Sequence, residues 1–247
     1  RSFERFVINR FDRVSTISKN MLALAVQKAG GADGMLLFPN WVDTRRIFPL
    51  VDEVNSLRTT LGLSTEQLVI LYAGTMGRKQ GLEQLLATAR QLQDQPQLQF
   101  VLCGEGVIRA ELEISAQGLP NVHFLPVQPI EKLNQLLNMA DIHVLLQKAD
   151  AADLVMPSKL SGMFASGKVV IATANPDTEL GRIVNEAGVL VPPEDPAALA
   201  DAIRQLSESS EKRDLLGRKG RAYAVQNWEA QVVLDHFHQH LQNLAAE

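Results

Sequence analysis

The chain is short of most features that would assign it quickly. It has one cysteine, Cys103, among 247 residues, which excludes an intramolecular disulfide and suits a reducing compartment. No uninterrupted apolar run is long enough to span a bilayer, and no secretory signal is recognisable. There is no excess of basic charge: the net charge is -4, so bulk nucleic-acid binding is not expected and any anion site must be local. No Gly-Lys-Ser/Thr closes a P-loop, and no Gly-x-Ser-x-Gly elbow is present. What remains is an ordinary balance, 46% apolar and 21% charged, with enough material for one large or two modest domains.

From residue 68 onward the pattern repeats. Short β-rich runs ("LVILYAG", "LQFVLCG", "NVHFLP", "DIHVLLQ", "KVVIAT", "GVLVPP") alternate with helical stretches near 82–93, 106–117, 130–139, 158–166, 178–187 and 196–208. Nearly continuous apolar strands between amphipathic helices predict an α/β fold, a Rossmann-like doubly wound parallel sheet. Asp195 and Pro196 supply an N-cap and a first-turn proline for the sixth helix. The first forty residues give a helix (2–10), the strand "RVSTIS", a helix (19–29) and the strand "MLLFPN". Such a unit cannot bury both faces of its strands alone. The expected organisation is therefore 1–40 as the end of an incomplete α/β domain, 41–58 as a linker, 59–225 as a complete second domain, and 226–247 as a terminal helix. That helix either caps the second domain or crosses back to the first, with Trp228, Val232, Leu234, Phe237 and Leu241 along one stripe. Arg1 opens the sequence, and the chain is expected to be part of a longer protein.

In open parallel sheets, ligands bind at the carboxyl ends of the strands, where strand order reverses. The loop "GTMGRKQG" at 74–81 has glycines that permit close backbone approach, a following helix N-terminus that favours an anion, and two cations, Arg78 and Lys79. Either the cations are merely solvated or an anion from outside the chain sits there. "DAADLVMPSKLSGMFASG" at 150–167 repeats the anomaly: Ser158 can serve as N-cap, and Lys159 then lies in a first turn where a cation is unfavourable without an anion. Two such loops facing one crevice point to a phosphate-bearing ligand. "CGEGVIR" at 103–109 is a weak dinucleotide signal, because Arg109 replaces the third Gly or Ala of the fingerprint. It is equally a tight turn. His123 and His143 fall inside strand patterns and read as core or sheet-face residues. His236 and His240 share a helix face without an acidic partner, so no metal site is expected.

Taken in order, "VSTISKNM", "FPNWVD", "YAGTMGRKQGLEQLL", "FVLCGEGVIRAELE", "NVHFLPVQP", "LLNMADIHVLL" and "PSKLSGMFASGKVVIAT" resemble the donor-binding half of the GT-B glycosyltransferases, in particular retaining family 4. The Gly-Lys-Gln-Gly-type loop and the Pro-Ser-Lys turn resemble the branch that builds bacterial polysaccharides, including colanic-acid-type transferases. The resemblance implies a nucleoside-diphosphate-sugar donor, with UDP the expected nucleotide, and a saccharide or lipid-linked acceptor. It implies a diphosphate near Gly74, Gly77, Arg78, Lys79, Pro157, Ser158 and Lys159, with Arg78, Lys79 and Lys159 as catalytic cations. Gly104 and Glu105 would lie at the donor site and the base would lie near Val127. Metal independence and a cytoplasmic location follow, with possible membrane contact through the first domain. The chain departs from the family pattern at several points. Thr75 and Gln80 stand where Arg and Lys are common, and Leu154 and Gly162 replace a Glu-x7-Glu pair, leaving Asp153 as an approximation of its first member. A nucleotide-sugar-binding or scaffold module without turnover is the alternative, and a nicotinamide-dependent oxidoreductase is a distant third.

Overall fold

The computed structural model describes residues 2–50, 55–149 and 156–246. Six strands form one parallel sheet: β3 (Leu68–Ala73), β4 (Leu98–Cys103), β5 (Val122–Leu125), β6 (Ile142–Leu145), β7 (Val169–Thr173) and β8 (Val189–Val191). Their order across the sheet is β5-β4-β3-β6-β7-β8. The order reverses between β3 and β6, which are neighbours through Ile70↔Ile142 and Leu71↔His143. The expected doubly wound sheet is therefore present, and its switch point falls beside the end of β3.

Alternation along the strands divides the core between two faces. Ile70, Tyr72, Phe100, Leu102, Ile142 and Val144 point to the side covered by α4 (Leu82–Gln91), α5 (Arg109–Ser115) and α9 (Pro196–Ser207). On the opposite side, Leu145, Val170 and Ala172 meet α7 (Lys159–Ala165), α8 (Glu179–Ala187) and α10 (Ser210–Trp228). Val69, Leu71 and Val101 on that side meet α6 (Leu133–Asn138) and the small α3 (Ser56–Thr60). Val69, Ile70, Leu71 and Tyr72 are wholly buried, as a central strand covered on both faces must be. Asp195 caps α9 as its sequence suggests, accepting from the Ala198 N–H at 2.9 Å.

The N-terminal residues form α1 (Ser2–Ile8), β1 (Val14–Thr16), α2 (Lys19–Ala29) and β2 (Met35–Leu37), the two strands pairing in parallel. The Glu179 carboxylate, on the first turn of α8, accepts from the Lys19 and Asn20 N–H groups at 3.1 and 3.0 Å. Opposite charge at a helix start stabilises α2, and here the charge comes from the six-stranded unit.

The stretch after β2 has no periodicity but is held firmly. Val42 N–H donates to Trp228 O at 2.8 Å and Val42 O accepts from Ala230 N–H at 3.0 Å. The Arg221 guanidinium donates to the carbonyls of Thr44, Ile47 and Ala165. Thr44 donates through both its N–H and its hydroxyl to the Glu229 carboxylate.

This junction corrects the expectation of one continuous apolar stripe at the C-terminus. Glu229 leaves helical geometry (φ -58, ψ 128) because its backbone is paired with Val42, so α10 stops and α11 (Ala230–Ala246) starts in a new direction. Trp228 stacks on Phe164 and Phe237 stacks on Phe38, while Val232, Leu234 and Leu241 are exposed and Val233 is buried. No helix among the described residues is long and apolar enough to cross a membrane.

Candidate functional site

At the carboxyl end of the sheet lies a cavity of about 600 Å³, within the size range of small-molecule sites. Its floor is built from three strand ends and the residues beyond them: Ala73, Gly74 and Thr75 at the end of β3, Cys103, Gly104 and Glu105 at the end of β4, and Val127 and Gln128 after β5. One wall is the start of α7, with Ser158, Lys159, Ser161, Gly162 and Met163. The other is apolar, formed by Leu133, Leu136 and Leu137 of α6 with Trp41, Val42 and Ile47.

The glycines of the floor serve backbone-to-backbone contact. The β3–β4 ladder runs on past the strands: Gly74 N–H donates to Cys103 O, Met76 N–H to Glu105 O and Ile108 N–H to Met76 O. A Cβ on Gly104 would lie 1.9 Å from Gly74 O, and one on Gly106 would lie 2.2 Å from Met76 O. Both residues have positive φ, +149 and +156, where a side chain would also be strained. Arg109, which breaks the dinucleotide fingerprint, braces this frame. Its guanidinium donates to the carbonyls of Gly104 and Leu125 and pairs with Glu105 and Glu113.

Of the residues singled out in the sequence, Gly74, Gly104, Glu105, Val127, Ser158 and Lys159 line this cavity. Pro157 lines a smaller adjoining cleft with Asn40 and Trp228. Gly77, Arg78 and Lys79 lie on the turn before α4, and both cations are exposed. Arg78 reaches to Glu111 on α5 at 2.8 Å, so its charge is met within the chain. Asp153 falls outside the described residues, as do Asp150 and Leu154.

Ser158 stands one residue before α7 but in helical geometry (φ -60, ψ -22), and its side chain makes no capping bond. The expected cap is absent because a capping side chain needs extended backbone to reach the N–H groups of the first turn, and Ser158 is already helical; its carbonyl accepts from the Ser161 hydroxyl at 2.9 Å.

Lys159 is the one cation among the described lining residues, and Glu105, already paired, the one carboxylate. The Lys159 ammonium donates to the Tyr72 hydroxyl at 3.2 Å and sits over the Tyr72 ring, 4.8 Å from its centroid. Burial, with no carboxylate beside it among the described residues, holds it below the usual lysine range. Tyr72 was not singled out in the sequence, since it occupies an apolar strand and reads there as core. The only available signal was the polar tip that a buried tyrosine must satisfy.

The remaining candidates behave as structural residues. Cys103 donates to Pro126 O, and burial pushes its thiol up to about 11. His143 is fully buried on β6, and burial, reinforced by Lys168, pushes it down to about 3. Ser166 Oγ donates to Met163 O, so it accepts from His143 Nε2–H. His123 meets Gln99. Among the described residues no group of three or more His, Cys, Asp or Glu converges as a metal site.

Comparison with known proteins agrees with this geometry. The family described as "Glycosyl transferases group 1" matches residues 54–223. WcaI of Escherichia coli K12, named for glycosyl transfer in colanic acid biosynthesis, is 41% identical over 210 residues, which cover 83% of this chain and 51% of that protein. The chain thus spans about half the length of that curated relative. A glycosyltransferase from Rickettsia africae ESF-5 superposes with a TM-score of 0.84 at 14% identity, covering 99% of this chain and 67% of the other. Anabaena HepE, solved in complex with UDP, superposes with a TM-score of 0.81 at 20% identity, covering 98% and 68%. The parallel α/β fold is thus shared with glycosyltransferases of the GT-B type, and over more than two thirds of its length the chain belongs to the group 1 glycosyl transferases.

Proposed function

We propose that this chain carries the donor side of a glycosyltransferase that moves a sugar from a nucleoside diphosphate, UDP foremost, to a saccharide or lipid-linked acceptor in polysaccharide synthesis. The observation that carries the proposal is the Lys159 ammonium, with no carboxylate beside it among the described residues, facing a ligand-sized cavity at the switch point of the sheet. Glycosidic cleavage from such a donor builds negative charge on the departing diphosphate, and a cation already fixed there stabilises that charge without reorganising. The glycine frame at Gly74 and Gly104 seats the Lys159 ammonium at the cavity floor, and the apolar α6 wall beside Val127 offers a surface for the base. Lys79, exposed on the turn before α4, supplies a second cation that a bound diphosphate would draw in. In this proposal no metal is needed and the anomeric configuration is retained. Residues 59–225 form the donor domain, residues 1–40 belong to the acceptor side, 41–58 link the two, and 226–247 return toward the first. The protein works in the cytoplasm, at or near the inner face of the membrane. Anabaena HepE, solved in complex with UDP, supports the choice of nucleotide.

A binding module without turnover is the second reading, and one feature favours it: Gly162 leaves the α7 wall of the cavity without a carboxylate. Calorimetric titration with UDP, GDP and ADP tests both. The donor reading expects one diphosphate to bind selectively and Lys159→Ala to weaken it by about 1.5–3 kcal/mol, roughly ten- to a hundredfold. Absence of any nucleotide binding would sink both readings. Binding with no transfer by the whole protein leaves only the second.

A further inference from the structure

We propose that Tyr72 is the positioning residue for Lys159: its hydroxyl, together with the bare Gly74, forms a socket that aims the Lys159 ammonium into the cavity. The inference rests on the donor reading above for the identity of the anion, and on geometry for everything else.

Tyr72 is wholly buried on the central strand β3. Its hydroxyl donates to Thr75 O at 2.6 Å, so its one proton is committed and its lone pairs are available. Lys159 Nζ donates to that oxygen at 3.2 Å. Burial raises the phenol further from ionisation, so it stays a neutral acceptor, and the ring beneath Nζ adds the attraction of a π face for a cation. The third side of the socket is an absence: a Cβ on Gly74 would lie 2.0 Å from Nζ.

An ammonium has three N–H donors, and Tyr72 takes one. Among the described residues no other acceptor meets Lys159, which leaves two donors for the cavity that Lys159 lines. A lysine side chain free to rotate would lose much of its entropy on meeting an anion. One already seated has lost it in advance, so it grips the anion more tightly. Tyr72 needs no lysine for its own satisfaction, since Thr75 O accepts from it. The arrangement serves Lys159.

The test is UDP titration of the wild-type chain, Tyr72→Phe, Lys159→Ala and the double variant, alongside pulse acetylation of Lys159 followed by peptide mass spectrometry across pH. Phenylalanine preserves the buried ring, and a melting curve on each variant confirms the fold. The expected result is that Tyr72→Phe weakens UDP about tenfold and has no further effect once Lys159 is gone. The acetylation profile of Lys159 should move to higher pH, as the released amine regains its hydration. Unchanged UDP affinity in Tyr72→Phe, or a loss that persists in full without Lys159, overturns the inference. If the wild-type chain binds no UDP, the donor reading falls, and the acetylation profile alone decides. A displaced profile keeps Tyr72 as the positioning residue for Lys159, and an unmoved one removes it.

Discussion

At the 78–80 turn Arg78 stretches across solvent to Glu111, while at the start of α7 Lys159 folds inward over Tyr72 with no carboxylate in reach among the described residues. Both are cations at the opening of a helix, and along the chain they look alike. The difference lies in what surrounds them. α5 brings an acid to Arg78, and the pair, 68% and 58% exposed, is the kind of surface contact that adds little. Among the described residues no element brings an acid to Lys159, and the space that holds it exists only because residue 74 has no side chain. A cation satisfied by its own protein has little left to offer a ligand, whereas one held unsatisfied is prepared for it.

Three substitutions would break or sharpen that contrast. The largest effect is expected from Gly104→Ala, which sets a methyl 1.9 Å from Gly74 O at positive φ. It should cost about 3 kcal/mol, read as a lowered urea midpoint, and should loosen the Lys159 socket while leaving the Arg78–Glu111 pair intact. A midpoint within error of wild type would mean the loop frame is softer than described.

Lys159→Met comes next and should move two measurements in opposite directions. Affinity for UDP falls, while the unliganded chain gains about 1 kcal/mol, because a half-buried charge with no carboxylate beside it among the described residues no longer has to be held. The same logic sets a pH dependence. The folded pKa of Lys159 lies below its ordinary 10.5, so the unfolded chain binds more protons in the alkaline range. Stability therefore rises as pH climbs through the lowered pKa toward 10.5. A diphosphate beside Nζ draws the pKa back up, so binding takes up protons in that range, measurable by titration in buffers of different ionisation enthalpy. Arg78→Ala should do least, shifting stability by no more than about 0.5 kcal/mol. A larger loss of UDP binding there than at Lys159 would reverse the ranking of the two turns.

The fold was legible because the apolar runs are nearly continuous and the helices carry their own signals, such as Asp195-Pro196. The site was legible only as far as its loops. Strand ends marked where Gly74, Gly104 and Lys159 would be, because a parallel sheet brings all its carboxyl ends together. They did not mark which cation turns inward, since that depends on Glu111, about thirty residues away, and on Tyr72, whose hydroxyl is invisible in a pattern that counts it as apolar. Nor did the bracing of 42–47 show. Arg221 and Glu229 bind main-chain carbonyls, N–H groups and a threonine hydroxyl, and contacts to backbone leave almost no trace in the partner's residue types. Ser158 misled for a related reason: a capping residue type in the right place was recognisable, but its local geometry was not.

The interlocked backbones of 74–76 and 104–106 have a consequence for evolvability. The rail is built from peptide groups and from glycines that cannot be exchanged, yet the side chains it carries, Thr75 and Glu105, are exposed and line the cavity. Position is fixed by atoms that every residue shares, and chemistry is left to atoms that a single codon can change. Such a frame can be inherited unchanged while the side chains at 75 and 105 drift toward a different ligand.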